Sequence, residues 1–293
     1  METKQIKALI SLLDDTDKEV YNHIHHQLVT IGKIAIPYLE DAWGQSMDVL
    51  MQHRIEEIVS KIQFDSLKTE LGLWAENRMF NLLEGVILIA RFQYPDLDEN
   101  KIYHQLNQLQ REIWLELNDN LTSFEKINVI NRILFDMHSF GGNTANFHAP
   151  QNSFINIVLE SKKGNPLLLS IIYSHIAQQL DLPVFGVNLP EHFILAFMNH
   201  FFRGDMETVS ADEVMFYINP FSKGSVFDSK EIDSFLKKLS LEPQPSYYVP
   251  CNNLEIIRRL LRNLMYSYEK LGHEEKTAQV QALMQVVNGS IKS

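Results

Sequence analysis

The sequence predicts an α+β fold that is mostly helical, with a central helix against a small antiparallel sheet and helical regions at both ends. Three observations carry this. Apolar residues recur at helical spacing through most of the chain. One helical stretch, 166–180, is apolar nearly all round (Leu167, Leu168, Leu169, Ile171, Ile172), which marks a buried helix rather than a surface one. Directly after it come three short runs rich in β-branched and aromatic residues, 184–188, 193–198 and 214–219.

At the N-terminus Ile6, Leu9, Ile10 and Leu13 keep helical spacing, and Asp14-Asp15-Thr16-Asp17 breaks it and offers N-caps. A second helix follows, with Val20, Ile24, Leu28 and Ile31 on one face. Gly32 ends it, and Ile36-Pro37-Tyr38-Leu39 opens another with Pro37 in the first turn, where a missing N–H costs nothing. This alternation resembles a HEAT-type helix pair, which cannot bury its own face alone. Residues 1–65 are therefore set apart as a HEAT-like helical region.

From residue 66 to about 120 the spacing stays helical. Asn81, Leu82, Leu83, Val86, Ile87 and Ile89 predict one buried helix, and Leu106, Leu109, Ile113 and Leu117 a second. Pro95 keeps Tyr94 out of the helical region and so places a turn between them. Ser123 starts a helix reaching about Met137. Residues 140–150, rich in Gly and Asn, read as a long loop. Asn152-Ser153 is predicted to cap a short helix over 154–159, and Asn165 to cap the central helix with Pro166 at its first position. Phe201–Asp205 reads as an exposed hairpin end. A helix over 228–239 precedes a linker with three prolines, 241–250. Residues 254–271 and 273–288 form a last helical hairpin around Gly272, similar to a tetratricopeptide unit. The expected regions are thus 1–65, 66–240 and 241–293.

With 293 residues, 45% of them hydrophobic, the chain is long enough for a well-buried core. A formal charge of −11 argues against nucleic-acid binding, which needs clustered Lys and Arg. The most basic patch, Arg258-Arg259 with Arg262, is expected to pair with neighbouring acids. A single cysteine cannot form an internal disulfide. Residues 1–5 lack the basic-then-apolar layout of a signal peptide. The greasiest run, Leu82 to Phe92, is interrupted by Glu84 and Arg91, so no membrane span is predicted. The expectation is a soluble cytoplasmic protein.

The chemistry concentrates between Asn152 and Phe221. The landmarks are Tyr94-Pro95-Asp96-Leu97-Asp98, Phe140-Gly141-Gly142-Asn143, Asn152-Ser153, Gly164-Asn165-Pro166, Gly186-Val187-Asn188-Leu189-Pro190 with Glu191-His192-Phe193, and Asn219-Pro220-Phe221. In this order and spacing they resemble the SirB1 family, a bacterial branch of the transglutaminase-like superfamily. The resemblance covers roughly residues 81–227. It implies a papain-like core and a triad of a thiol at a helix start, a histidine on a strand and an orienting Asp or Asn on the next strand. It assigns those places to Pro166, His192 and Asn219. Pro166 stands where active relatives carry the cysteine, and Asn219 where Asp is common.

Without a thiol, His192 has nothing to deprotonate at the partner position, and its hydrogen bond to Asn219 would only fix a ring. Ser170 lies one turn inside the helix, away from the N–H groups that hold an oxyanion. Ser153 reads as a cap. Cys251, the only cysteine, lies in a different segment, before a helix where its pKa could be lowered. His23 and His26 share a helix face but lack further ligands, and Glu191-His192 lacks the second histidine of a zinc-protease motif. No metal and no cofactor is expected. Two functions remain. One is a non-catalytic transglutaminase-like module that binds an unidentified protein or peptide, with Asn143, Asn152, Ser153, Asn165, Glu191 and His192 as cleft candidates. The alternative is an unconventional hydrolase or peptidase-like enzyme using His192 and Asn219, with Glu191, and no cysteine nucleophile.

Overall fold

The computed structural model describes residues 3–76, 81–200 and 209–289. The chain divides into two compact units, Met1–Leu73 and Trp74–Ser293. In the first, α1 (Thr3–Ile10), α2 (Lys18–Ile31) and α3 (Ile36–Gln45) are followed by α4 (Val49–Glu76). Asp17 caps α2 by accepting from the Glu19 N–H, and Gly32, at φ +71°, ends it in a conformation that glycine adopts most readily. Ile6, Ile10, Leu13, Ile24, Leu28, Leu39, Ile55, Ile58 and Ile62 close the core of this unit. The unit division falls inside α4, beyond the expected boundary at 65/66. A continuous helix carries no loop signal there.

The second unit begins with α5 (Leu82–Gln93, capped by Asn81), α6 (Glu99–Trp114, capped by Asp98) and α7 (Ser123–Asn131). Thr122 and Glu125 form a capping box at α7, which continues as a π-helical turn over Arg132–Met137. Next come β1 (Gly141–Gly142), α8 (Ile155–Ser161), β2 (Lys163–Gly164) and α9 (Pro166–Gln179). The sheet follows as β3 (Val184–Leu189), β4 (His192–Met198), β5 (Val214–Asn219) and β6 (Ser225–Phe227), in spatial order 3-4-5-6 and antiparallel throughout. Then come α10 (Ser229–Lys238), α11 (Asn253–Lys270) and α12 (Glu274–Gly289).

Every residue of α9 from Pro166 to Ser174 is buried, and the helix packs on β3 and β4. Each Leu or Ile so enclosed contributes about 1.5–3 kcal/mol of transfer free energy. Ile232 and Leu236 of α10 pack with Phe185, Val187, Leu189, Ile194, Ala196, Met198 and Tyr217. Strand alternation places His192 with Ile194 and Asn219 with Tyr217 on that same side of the sheet.

Several expectations need correction. Asn152 and Ser153 do not cap α8; they lie in a 3-10 turn, and the cap residue, Phe154, makes no side-chain capping bond. The expected loop 140–150 contains β1, which pairs in parallel with β2 through glycines that carry no strand signal. Strand β6 lies in a stretch too short to show a period. The proline-rich 241–250 segment is held to the sheet rather than free. Tyr217 donates to the Tyr248 carbonyl at 2.8 Å, and the Cys251 N–H to the Gly186 carbonyl at 2.8 Å. The hairpin expected over 241–293 forms, but inside the second unit, with α11 packed on α5, α9 and β3. The Phe201–Asp205 hairpin end lies outside the described residues.

Candidate functional site

An open cavity of about 690 Å³ lies among four pieces of the second unit: residues 147–149, the start of α9, the β3–β4 turn and one face of α11. Pairing of Leu189 with His192 leaves Pro190 and Glu191 as the turn, with Glu191 at φ +56°. This puts Glu191 and His192 on the same cavity. Pro166 lines it too, at the first position of α9, where it offers neither a nucleophile nor an N–H.

The His192 ring is half-buried, with the Asn219 side chain near enough to act on its protonation. Loss of water around the ring holds its pKa below the usual histidine range. Asn219 works the other way, and the nearby Arg259 charge adds to the lowering. Phe221 stands edge-on to the ring at 6.5 Å, and Phe235 lies 6.1 Å away. Asn219 Oδ1 accepts from the Phe221 and Ser222 N–H groups, at 3.1 and 3.3 Å, so the turn after β5 fixes the Asn219 side chain beside the ring.

The asparagine-rich motifs act one step back. Asn165 Oδ1 accepts from the Leu168 N–H at 2.8 Å, and its Nδ2 donates to Ser153 Oγ at 2.8 Å. Asn152 Nδ2 donates to the Asn146 and Phe147 carbonyls at 2.8 and 3.0 Å, while its Oδ1 accepts from Asn143 Nδ2 at 2.9 Å. Of these candidates only Asn165 lines the cavity. Asn143 and Asn152 instead hold in place the segment that presents Phe147 and His148, and Ser153 holds the Asn165 side chain.

The fourth wall was missed in the sequence. Arg259, Asn263, Tyr266 and Ser267 recur at i, i+4, i+7 and i+8 of α11 and share one face. The spacing is visible, but nothing local says that this face meets the β3–β4 turn. Arg259 does not pair with an acid as expected: its Nη1 makes only long contacts, to Asn188 Oδ1 at 3.5 Å and the Leu189 carbonyl at 3.4 Å. Its neighbour Arg258 bonds Asn288 Oδ1 at 3.0 Å. Aromatic rings form a chain along the cavity, from Tyr266 to His148 (5.3 Å), His148 to Phe147 (5.1 Å) and Phe147 to Phe221 (5.8 Å).

Cys251 is buried and does not line the cavity. Desolvation first, then the charge of Glu255, pushes its thiol far above the ordinary range, opposite to the lowering considered from sequence. Ser170 is fully enclosed in α9 and its hydroxyl finds no partner among the described residues. Among the described residues no three His, Cys, Asp or Glu side chains converge as metal ligands, and no helix is long and apolar enough to cross a membrane.

This geometry sits within a stretch shared with other proteins. A "UPF0162 protein" of Xylella fastidiosa is 28% identical over 222 residues, 71% of this chain and 74% of that one. The UPF0162 protein PA3419 of Pseudomonas aeruginosa is 25% identical over 193 residues, 65% of this chain and 66% of that one. Mouse F-box only protein 21 is 27% identical over 139 residues, 47% of this chain but 21% of that protein. No solved structure matches. The profile of the transglutaminase-like superfamily matches residues 100–262, more than half the chain, with three walls of the cavity and Arg259 of the fourth, so the chain belongs to that superfamily.

Proposed function

We propose that this protein is a cysteine-less, SirB1-type member of the superfamily that binds a protein or peptide in the cavity and does not catalyse acyl transfer. The observation that carries the proposal is Pro166 at the start of α9, lining the same cavity as His192. Thiol acyl transfer needs a thiolate at that helix end, activated by the dipole and the free N–H groups. The single cysteine is buried elsewhere with its thiol held protonated. Binding is supported by the exposed rings on the cavity wall, Phe147 at 43% and Tyr266 at 51%, which are amphipathic or apolar surface of the kind that interfaces use. In this proposal α1–α4 are a HEAT-like region, and α11–α12 a tetratricopeptide-like hairpin that supplies one cavity wall. The test is capture from native lysate by the full chain and by Phe147→Ala with Tyr266→Ala. Loss of the captured species in the double variant is expected; capture unaffected by it removes the cavity from the proposal.

One observation favours a second function. His192 has Asn219 beside it, is biased toward its neutral form by burial and shares its cavity with Glu191. A water-using hydrolase built on these groups would show peptide or ester cleavage that His192→Ala abolishes. Turnover with that dependence replaces the binding proposal.

A further inference from the structure

We infer that the cavity takes the C-terminal carboxylate of a peptide, with Arg259 as its anchor and Asn263 beside it; this rests on the peptide-binding proposal above and narrows it. Arg259 is half-buried, lines the cavity and makes no ion pair among the described residues. Its two contacts, both long and both from Nη1, leave most of the guanidinium's five N–H donors uncommitted. Withdrawing a cation from water is costly, and Glu191 on the same cavity acts on its charge without forming an ion pair among the described residues, so a fold that keeps Arg259 on a cavity wall is built to receive an anion there. Asn263 follows one helical turn later on the same wall, and its side-chain amide makes no hydrogen bond among the described residues. Two adjacent, unsatisfied donor groups facing one space suit a planar carboxylate, which the guanidinium fork grips bidentately.

The charge balance selects the kind of anion. Among the described residues that line the cavity Arg259 is the only Lys or Arg, and Glu191 lines it as well, near enough to act on the Arg259 charge. With a formal charge of −11 over the whole chain, a dianion such as phosphate meets one cation against a repulsive surround. A monoanion is neutralised by that one cation and meets half the repulsion. The remaining walls are apolar, from Pro166, Leu167, Phe193, Phe147 and Tyr266, and suit the side chain of a terminal residue. The cavity volume of about 690 Å³ lies well above what a bare carboxylate fills. Its exposed rings, Phe147 and Tyr266, leave a path by which the preceding polypeptide can exit.

The test uses the full chain, immobilised, and two pools of randomised octapeptides that differ only at the end, one with a free carboxylate and one with a carboxamide. Retained peptides are identified by mass spectrometry. The free-acid pool should be retained about tenfold over the amide pool, as expected for loss of a charge-assisted bidentate contact. Arg259→Gln should erase that preference, and Arg259→Lys, which keeps the charge but not the fork, should keep part of it. Asn263→Ala, a conservative change on a half-buried position, should weaken it several-fold, so the inference does not depend on one variant's folding. Equal retention of both pools, or a free-acid preference that survives Arg259→Gln, overturns the inference and leaves peptide binding standing. Retention of neither pool overturns both.

Discussion

The two sides of the cavity differ in how their polar groups are satisfied. On the side made by α9, β4 and β5, the polar side chains are largely bonded within the protein: Asn219 to the turn after it, and Asn165 to its own helix and to Ser153. On the side made by α11, Arg259 and Asn263 face the space with little or no protein partner. The first side is thus complete without a ligand, and the second is not. A fold can lose the nucleophile and keep the scaffold around it, because those hydrogen bonds contribute to stability whether or not chemistry occurs. What still calls for a ligand has moved to the helix that the triad does not include.

The comparison breaks most severely at Asn152. It is buried and links three groups, so Asn152→Ala removes three hydrogen bonds and leaves the Asn146 and Phe147 carbonyls with fewer partners. At about 1 kcal/mol per bond, plus the penalty for any group left dry, the expected loss is roughly 2–4 kcal/mol. Urea unfolding measures it. The same variant should release Phe147 and His148 from the cavity wall, seen as faster amide exchange at 143–149. A stable variant with unchanged exchange would mean that the network is incidental.

Asn165→Ala comes next. It deletes the cap of α9 and the partner of Ser153, with an expected cost of about 1–2 kcal/mol. Asn165→Asp, which keeps the capping acceptor but not the donor, should recover part of that loss. No recovery would show that the Ser153 bond, not the cap, is what matters.

Acid sharpens the contrast further. Burial lowers the His192 pKa in the folded protein, and that of His175 in α9 likewise, below the unfolded value of about 6.5. The unfolded chain therefore binds protons first. Stability from this source is fully present above pH about 6.5, and is lost as pH falls from there through the folded pKa values. His192→Gln should flatten part of that slope and leave the part due to His175. An unchanged slope would mean that His192 is hydrated in solution.

Much of this was legible beforehand, for identifiable reasons. The all-round apolarity of α9 and the short β-branched runs after it announce the central helix and sheet, because burial on every side leaves no polar face to write into the sequence. Of the caps at Asn81, Asp98, Asn165 and Asp228, only Asn165 is predicted as one from the sequence. Glycines gave nothing at β1 and β2, where pairing depends on a partner about twenty residues away in the chain. The α11 wall failed for the same reason on a larger scale: Arg259 is an ordinary surface arginine until tertiary packing brings α11 beside β3. Asn143, Asn152 and Ser153 have the composition of a site and prove to be its support, a distinction set by which atoms are already bonded.

The smallest expected effect is the most telling about the first side. Pro166→Cys puts a thiol at the start of α9, on the cavity that also holds His192. Removing a proline from a first-turn position costs the folded state no hydrogen bond, so the stability change should stay within about 1 kcal/mol. The new thiol should react readily with a thiol-directed probe, since a helix N-terminus stabilises the thiolate, while Cys251, buried and held protonated, reacts slowly until the protein unfolds. Amine incorporation into glutamine substrates should nevertheless stay at background. The Leu168 N–H is already taken by Asn165 Oδ1, which removes one donor that a developing oxyanion needs, and the His192 ring is set among Phe221, Phe235 and Asn219 rather than selected to reach residue 166. Fast labelling with no transfer would separate a preserved thiol-activating helix end from a lost catalytic arrangement. Amine incorporation by Pro166→Cys that His192→Ala abolishes would show the opposite: that this side of the cavity is one substitution away from an enzyme.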